Sequence, residues 1–183
     1  TISGCCFKGN GDDGVSGFKG AQLDIQSCIF SENRNGFFVS QSATEAVLSN
    51  CLIRKNRARG VVASDRARIT VTDSLVEYQE KWGVWVTGQG TSLTAGGLSS
   101  GHNQLGVMVD KAAFADIRDS LFENNQAGGM VVRNPGTESK VYNVRCDRNQ
   151  ATGMVILDEA NAEIIHSTAR ENATAGLAFQ NNA

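Results

Sequence analysis

The sequence predicts an all-β protein, a right-handed, single-stranded parallel β-helix of about eight coils with three short strands per coil. Two observations predict this fold. Polar and glycine residues recur about every 23 residues, and apolar residues alternate with a period of two between them. Because such a coil buries its apolar side chains only against neighbouring coils, we expect one solenoid domain over residues 1–183. We expect this domain to be a segment of a longer protein.

A column of polar residues marks the repeat. Its members follow one another at this repeat length, except that the gap before Asn149 is longer by one residue. They are Asn10, Asn33, Asn56, Gln79, His102, Asn125, Asn149 and Asn172. Amides at one position of successive coils can hydrogen-bond to the copies above and below. The column therefore predicts a structural ladder, with His102 as a substitute member.

A glycine column accompanies the ladder. Four residues after most ladder positions stand Gly14, Gly60, Gly83, Gly106, Gly129, Gly153 and Gly176, while Gly36 comes one residue early. Glycine at a recurring turn position is typical of a backbone with positive φ. The column is interpreted as such a turn, and each glycine opens the third strand of its coil.

Apolar positions around these columns define the three strands. The first strand carries Ile2, Ile25, Leu48, Val71, Thr94 as a weak copy, Ile117, Val141 and Ile164. The second carries a small residue at Cys28, Cys51, Ser74, Gly97 and Ser120, and a larger one two positions later. The third reads Gly-Val-x-Val or an equivalent, as at Val84 and Val86. Cys5, Cys28 and Cys51 are one repeat length apart, which favours a stacked thiol ladder over a metal site.

The repeat has one rival interpretation. Ile25, Cys28, Phe30 and Asn33 also fit the template of leucine-rich repeats. That fold fills its inward positions with leucine, whereas these hold Cys, Ser, Gly, Val and Phe, and the segment after the glycine alternates as a strand. The parallel β-helix is the favoured interpretation.

The strand–Asn–Gly–strand pattern resembles the right-handed parallel β-helix repeat family, the pectin-lyase-like group. This group includes polysaccharide lyases, polyuronate epimerases, and carbohydrate-binding or sugar-hydrolase domains. The resemblance covers Thr1 to Ala183. Since members of one fold do unrelated things, it implies the fold and leaves the activity open.

Composition excludes several classes of partner. A formal net charge of -2 gives no overall attraction to nucleic acid. The sequence has no apolar run approaching the roughly 18 residues of a membrane span. We expect no cofactor and no metal. Five cysteines, an odd number, favour a cytoplasmic location, whereas the family resemblance favours an extracellular one.

An apolar stripe is the feature that points to binding. On the third strand, the residue between the two inward positions is apolar in successive coils: Phe38, Val62, Trp85, Met108, Val131, Val155 and Ala178. A second apolar file follows the second strand at Ile29, Leu52, Leu75, Leu98 and Leu121. A contiguous exposed apolar patch indicates a protein partner, self-association or a covering element. Trp82 beside Trp85 also suits an aromatic platform for sugar stacking.

Two charged groups are further candidates. Asp116, Arg118, Lys140 and Tyr142 fall on adjacent coils of one outward face and supply an acid, a neutralising arginine and a base. A basic group, which solvated ion pairs explain equally well, could instead bind an anion or acidic glycan. It comprises Arg54, Lys55, Arg57, Arg59, Arg66 and Arg68. Aspartates at turn positions are interpreted as turn-formers: Asp12, Asp13, Asp65, Asp110 and Asp158.

These observations favour a non-catalytic β-helix module that binds another protein, itself or a polysaccharide. A nearly constant period leaves no insertion long enough to wall a cleft, and ligand sites are normally concave. The alternative is a lyase or C5-epimerase acting on an acidic glycan at the group around Lys140 and Tyr142.

Overall fold

A computed structural model, which describes residues 1–180, confirms the predicted parallel β-helix. Its strands form three eight-stranded sheets, here named A, B and C, and every coil adds one strand to each sheet. The neighbours in each sheet are parallel copies of the same repeat position, as in β4 and β7. No helix within residues 1–180 is long and apolar enough to cross a membrane.

The strands have the following bounds. Sheet A contains β1 (Ile2–Ser3), β4 (Gln22–Gln26), β7 (Glu45–Ser49), β10 (Arg68–Thr72), β13 (Ser92–Gly96), β16 (Phe114–Arg118), β19 (Glu138–Tyr142) and β22 (Asn161–Ile165). Sheet B contains β2 (Cys6–Lys8), β5 (Ile29–Ser31), β8 (Leu52–Arg54), β11 (Leu75–Glu77), β14 (Ser99–Gly101), β17 (Leu121–Glu123), β20 (Arg145–Asp147) and β23 (Thr168–Arg170). Sheet C contains β3 (Val15–Gly17), β6 (Phe37–Ser40), β9 (Val61–Ser64), β12 (Trp82–Thr87), β15 (Leu105–Asp110), β18 (Gly128–Arg133), β21 (Thr152–Leu157) and β24 (Leu177–Gln180).

The core is a set of columns inside the three sheets. Side chains alternate between the two faces of each strand, so one register places like residues above one another. Ile25 pairs with Ile2 in the coil before it and with Leu48 in the coil after it. Phe30 is fully buried and stacks on Phe7 with ring centroids 5.2 Å apart. Stacking of the coils therefore buries the apolar side chains that a single coil leaves exposed.

The amide ladder is present, but His102 is not part of it. The ladder member of the fifth coil is Asn103, which is fully buried and accepts the Gln79 backbone N–H at 2.8 Å through Oδ1. His102 lies in the preceding position with a φ of 57° and is exposed, its ring stacked on Tyr78 at 4.8 Å. The ladder gap into this coil is 24 residues and the next gap is 22, so the column skips His102.

The glycine column has a different cause from the one predicted. None of its members has a positive φ within residues 1–180. They face inward where successive coils approach closely: a Cβ on Gly106 would lie 2.3 Å from the Gly129 carbonyl oxygen, and one on Gly83 would lie 2.1 Å from Ser100 Oγ. Positive φ values instead occur at the turn residues just before the ladder, such as Lys55 and Asn124.

The thiols belong to a second, shorter ladder. Cys28 Sγ accepts the Cys5 backbone N–H at 3.4 Å, and Ser74 Oγ accepts that of Cys51 at 3.1 Å. Each of these side chains also donates to the carbonyl two residues earlier, as Ser74 does to Thr72 at 2.7 Å. A thiol and a hydroxyl are therefore interchangeable at this turn.

A one-residue shift corrects the predicted register in the fifth coil. Ser92 pairs with Arg68, one residue more than the usual repeat length, because the turn between β12 and β13 is longer by one residue than the turn between β9 and β10. The inward copy of Val71 is consequently Ala95, and the predicted copy, Thr94, faces outward. The same shift puts Leu98, 1% exposed, in the core in place of Gly97 and removes it from the outward file.

Candidate functional site

The outer face of sheet C holds two tryptophans from one strand. Trp82 and Trp85 lie at the two outward positions of β12 on either side of the inward pair Gly83 and Val84. Their rings meet edge to face, with centroids 5.0 Å apart and an interplanar angle of 71°. Both side chains are half-buried. The sheet thus presents a rigid aromatic surface rather than a loop-borne one.

An arginine from the previous coil lies over both rings. Arg59 precedes Gly60 as Trp82 precedes Gly83, and the Gly60 N–H donates to the Trp82 carbonyl, so the two outward residues are neighbours. The Arg59 guanidinium carbon is 4.8 Å from the Trp82 ring centroid and 4.2 Å from that of Trp85. This geometry is a double cation–π contact.

A buried carboxylate fixes the other side of Trp85. Asp110 Oδ1 accepts the indole Nε1–H at 3.2 Å, and Asp110 Oδ2 accepts a hydrogen bond from Arg133 Nη2 at 3.1 Å. The Asp110 side chain is only 1% exposed. Its side chain is therefore the partner of two surface side chains, while its backbone carbonyl accepts the Ala113 N–H at 3.3 Å in the turn that its position predicts. We name Arg59, Trp82, Trp85, Asp110 and Arg133 the Trp–Arg cluster.

The charge of Arg59 has no acidic partner. Within residues 1–180 its guanidinium forms no ion pair or hydrogen bond, and its Nε is buried without an acceptor. Burial lowers the pKa of Arg59, the nearby Arg34 lowers it further, and Asp110 opposes both effects. An arginine remains charged despite such shifts. The site therefore retains a positive charge that a bound anion could satisfy.

The apolar stripe has the predicted register but is not a contiguous solvent-exposed surface. Phe38, Val62, Trp85, Met108, Val131, Val155 and Ala178 pair in one outward file along sheet C. Val62 is 1% exposed and Met108 is 6% exposed, so the file is not continuously accessible. On sheet B, Ile29 and Leu75 remain exposed. The binding role of the stripe stays a prediction, and its accessible centre is the Trp–Arg cluster.

The four candidate catalytic residues do meet on sheet A. Asp116 pairs with Lys140, and Arg118 with Tyr142, beside a shallow depression of about 230 Å³. Arg118, however, donates two hydrogen bonds to Asp116 at 2.9 and 3.0 Å, and this contact lowers the pKa of the Asp116 carboxyl. Asp116 is thus a poor proton donor, and Arg118 is already neutralised. The catalytic role of the group stays a prediction.

The basic group around Asn56 does not form one site. Arg54 lies on the outer face of sheet B, while Arg57 donates to the Asn10 and Gly11 carbonyls at 3.0 and 3.2 Å. Arg68 pairs with Glu45 on sheet A. Residues 1–180 contain no group of three or more His, Cys, Asp or Glu side chains that could hold a metal ion.

The sequence does not predict three members of the cluster in this role. Asp110 is interpreted from the sequence as a turn-former only, Arg59 is placed only in the basic group, and Arg133 is given no role. A usable signal exists, since Arg59 and Trp82 each directly precede a column glycine and must therefore be adjacent in the stack. Asp110 and Arg133 are likewise one repeat length apart, at one outward position of successive strands.

Fold and surface together define a solenoid repeat protein with an aromatic, arginine-bearing sheet face. The chain belongs to the right-handed β-helix family, whose description, right handed beta helix region, matches residues 1–99 and 98–183. No curated protein matches the chain in sequence.

Several solved structures share the fold. The periplasmic alginate epimerase AlgG aligns at a TM-score of 0.80 and 17% identity, over 88% of this chain and 39% of the epimerase. The enzymatically active domain of bacteriophage CBA120 tailspike protein 2 aligns at 0.68 and 12%, over 87% of this chain and 27% of that one. Pectate lyase Pel9A aligns at 0.63 and 12%, over 99% and 68%. The chain spans well under two thirds of the epimerase, and identities this low show the fold alone.

Proposed function

We propose that this chain is a β-helix module that binds an acidic polysaccharide through the Trp–Arg cluster on sheet C. The observation that carries the proposal is Arg59, a cation stacked on two tryptophans and left without an acidic partner. The same site brings together the two kinds of group that suit a uronic acid polymer: aromatic side chains for the sugar, and a cation for its carboxylate.

The tryptophans supply the affinity for the ring. Indoles present a large apolar surface with few rotatable bonds, so little conformational entropy is lost when a ligand packs on them. Trp85 is held further by Asp110 and Trp82 by its edge contact with Trp85. The site is preorganised, because both tryptophans, Asp110 and Arg133 lie on strands of sheet C, and Arg59 lies just before β9.

The arginines supply the preference for an anion. A guanidinium can match a carboxylate with two parallel hydrogen bonds, and although the Arg59 Nε is buried, the two Arg59 Nη groups have no acceptor within residues 1–180. Arg133 is half-exposed but forms an ion pair with Asp110, so the cation without an acidic partner is that of Arg59. The chain as a whole has a net charge of -2, so the preference rests on this local surface and not on the overall charge.

Enzymes that act on polysaccharides share this fold. Two of the solved structures with this fold are an alginate epimerase and a pectate lyase, and alginate and pectate are both polymers of uronic acids. Their low identity carries the fold only, so the substrate class of this chain rests on the cluster itself.

Isothermal titration calorimetry tests the proposal. Polygalacturonate and alginate should bind the wild-type chain, and neutral dextran should not. Arg59→Gln should weaken binding about tenfold or more, the loss of about 1.5–3 kcal/mol of charge-assisted hydrogen bonding. Arg54→Gln is the matched control, because it removes the same charge from sheet B. Equal losses in the two variants, or wild-type affinity in both, would refute the proposed site.

The enzyme alternative has one observation in its favour, the register that gathers Lys140 and Tyr142 beside a depression. A lyase would produce an unsaturated uronate with ultraviolet absorbance. Absorbance growth that Lys140→Ala or Tyr142→Phe abolishes would establish the enzyme and overturn the module. For the protein-binding alternative, a Trp85→Asp variant that changes the sedimentation coefficient but not polysaccharide affinity would place self-association on this face.

A further inference from the structure

The turns that join sheet C to sheet A alternate in length from the second coil onward. Turns 41–44, 88–91 and 134–137 have four residues, while turns 65–67, 111–113 and 158–160 have three. Each longer turn buries a threonine, and Thr91 Oγ1 and Thr137 Oγ1 accept the backbone N–H groups of Arg66 and Ala112 in the shorter turn below, each at 2.9 Å. A buried threonine therefore marks each of these longer turns.

A notch lies where a shorter turn runs between two longer ones. Turns 41–44, 65–67 and 88–91 line a depression of about 540 Å³, within the usual range for small-molecule sites. A second depression of about 470 Å³ shares Ser42 and Arg66 with it. Gly90 leaves room for Arg66, because a Cβ there would lie 3.2 Å from the Arg66 Cγ.

The notch groups polar side chains that have no partners. The side-chain amides of Gln41 and Gln89 and the Arg66 guanidinium form no hydrogen bond or ion pair within residues 1–180. Asp65 Oδ2 accepts from Ser40 Oγ at 2.7 Å and from Ser64 Oγ at 3.2 Å, which holds the carboxylate in place while Oδ1 stays free. Planar amides, a carboxylate and a guanidinium together provide the donors and acceptors that sugar hydroxyls pair with.

The notch continues the Trp–Arg cluster along one strand. β12 leads from Trp82 and Trp85 to Thr87, and Gln89 follows two residues later. At roughly 3.3 Å per residue, the Cα atoms of Trp85 and Gln89 are at most about 13 Å apart. An oligosaccharide of a few sugars can therefore reach both.

We propose that this notch is a second sugar-binding subsite, and that the polymer lies across the stack along β12, from the Trp–Arg cluster over the sheet edge into the notch. The inference rests on the proposed function, since the Trp–Arg cluster binds one part of the polysaccharide and the notch binds the part next to it. The notch binds hydroxyl-rich sugar residues of the polymer that do not contact Arg59.

Oligogalacturonides of different length test the track by calorimetry. Wild type should bind an octasaccharide more tightly than a disaccharide. Arg66→Ala and Gln89→Ala should each weaken the octasaccharide about fivefold to tenfold and leave the disaccharide unchanged. Alanine suits position 66, because Ala112 holds the equivalent place with a φ of 62° against 72° at Arg66. Lys111→Ala is the control, as it removes a positive charge from the next three-residue turn.

The outcomes separate the two proposals. Wild-type octasaccharide affinity in Arg66→Ala and Gln89→Ala, with a loss in Arg59→Gln, would overturn the notch and leave the Trp–Arg cluster standing. An equal loss in Lys111→Ala would also overturn the notch, because the effect would then be nonspecific charge. No binding of any oligogalacturonide to the wild type would overturn both.

Discussion

Replacing Asn103 by alanine should destabilise the chain far more than replacing His102, although the sequence spacing favours His102 as the ladder residue. Asn103 is fully buried; its Oδ1 accepts the Gln79 N–H, and its Nδ2 donates to the Val76 carbonyl at 3.2 Å and to Ser100 Oγ at 3.1 Å. Truncation leaves the Gln79 N–H buried with no acceptor and removes both hydrogen bonds that the Asn103 Nδ2 donates. At about 1–3 kcal/mol per unsatisfied buried group, we expect a loss of about 3 kcal/mol.

His102→Asn is the matched variant. Asparagine holds this place in the next coil, at Asn124 with a φ of 55°, so the backbone is not strained. The variant loses only the ring stack on Tyr78, worth about 0.5–1.5 kcal/mol. Free energies of unfolding from urea titrations measure both. A loss in Asn103→Ala no larger than the loss in His102→Asn would contradict the assignment of Asn103 to the ladder.

Three further outcomes are expected. Gly106→Ala should lower the free energy of unfolding by about 2 kcal/mol, because its Cβ meets a carbonyl oxygen, while Gly96→Ala, with open space, should be nearly neutral in the same urea titration. In Arg118→Ala the pKa of the Asp116 carboxyl, measured by NMR titration, should rise, because the contact with Arg118 lowers it in the wild type. The ion pair therefore stabilises the native chain at pH values above the usual carboxyl pKa, and this stabilisation disappears as the pH falls. A thiol reagent should label two exposed cysteines quickly and three buried ones only on unfolding.

The repeat was readable in the sequence because each coil imposes the same constraints on the same position. Buried amides such as Asn33 and Asn56 must pair with the coils on either side, and few residue types can do so. Phe30 and Ile53 likewise hold one inward column. These constraints recur at one period, so the fold and most of the register followed from spacing alone.

The register predicted from the sequence is wrong where the repeat spacing is not uniform. One residue added in turn 88–91 and one removed between Asn103 and Leu105 cancel over a full coil, so the usual spacing between Gly83 and Gly106 conceals both. The candidate site is harder to predict from the sequence than the register is. Arg59 and Trp82 lie one repeat length apart, but whether a cation stacks on an indole or pairs with a carboxylate depends on side-chain rotamers and on neighbours from other coils.

Tryptophan fluorescence tests the central claim most directly, because Trp82 and Trp85 are the two tryptophans of the sequence and both belong to the Trp–Arg cluster. Titration with polygalacturonate should shift the emission to shorter wavelength and protect it from acrylamide quenching, at the affinity that calorimetry gives, and Arg59→Gln should weaken both effects together. Calorimetric binding with an unchanged emission spectrum and unchanged quenching would contradict the account, because the polymer would then be bound away from sheet C.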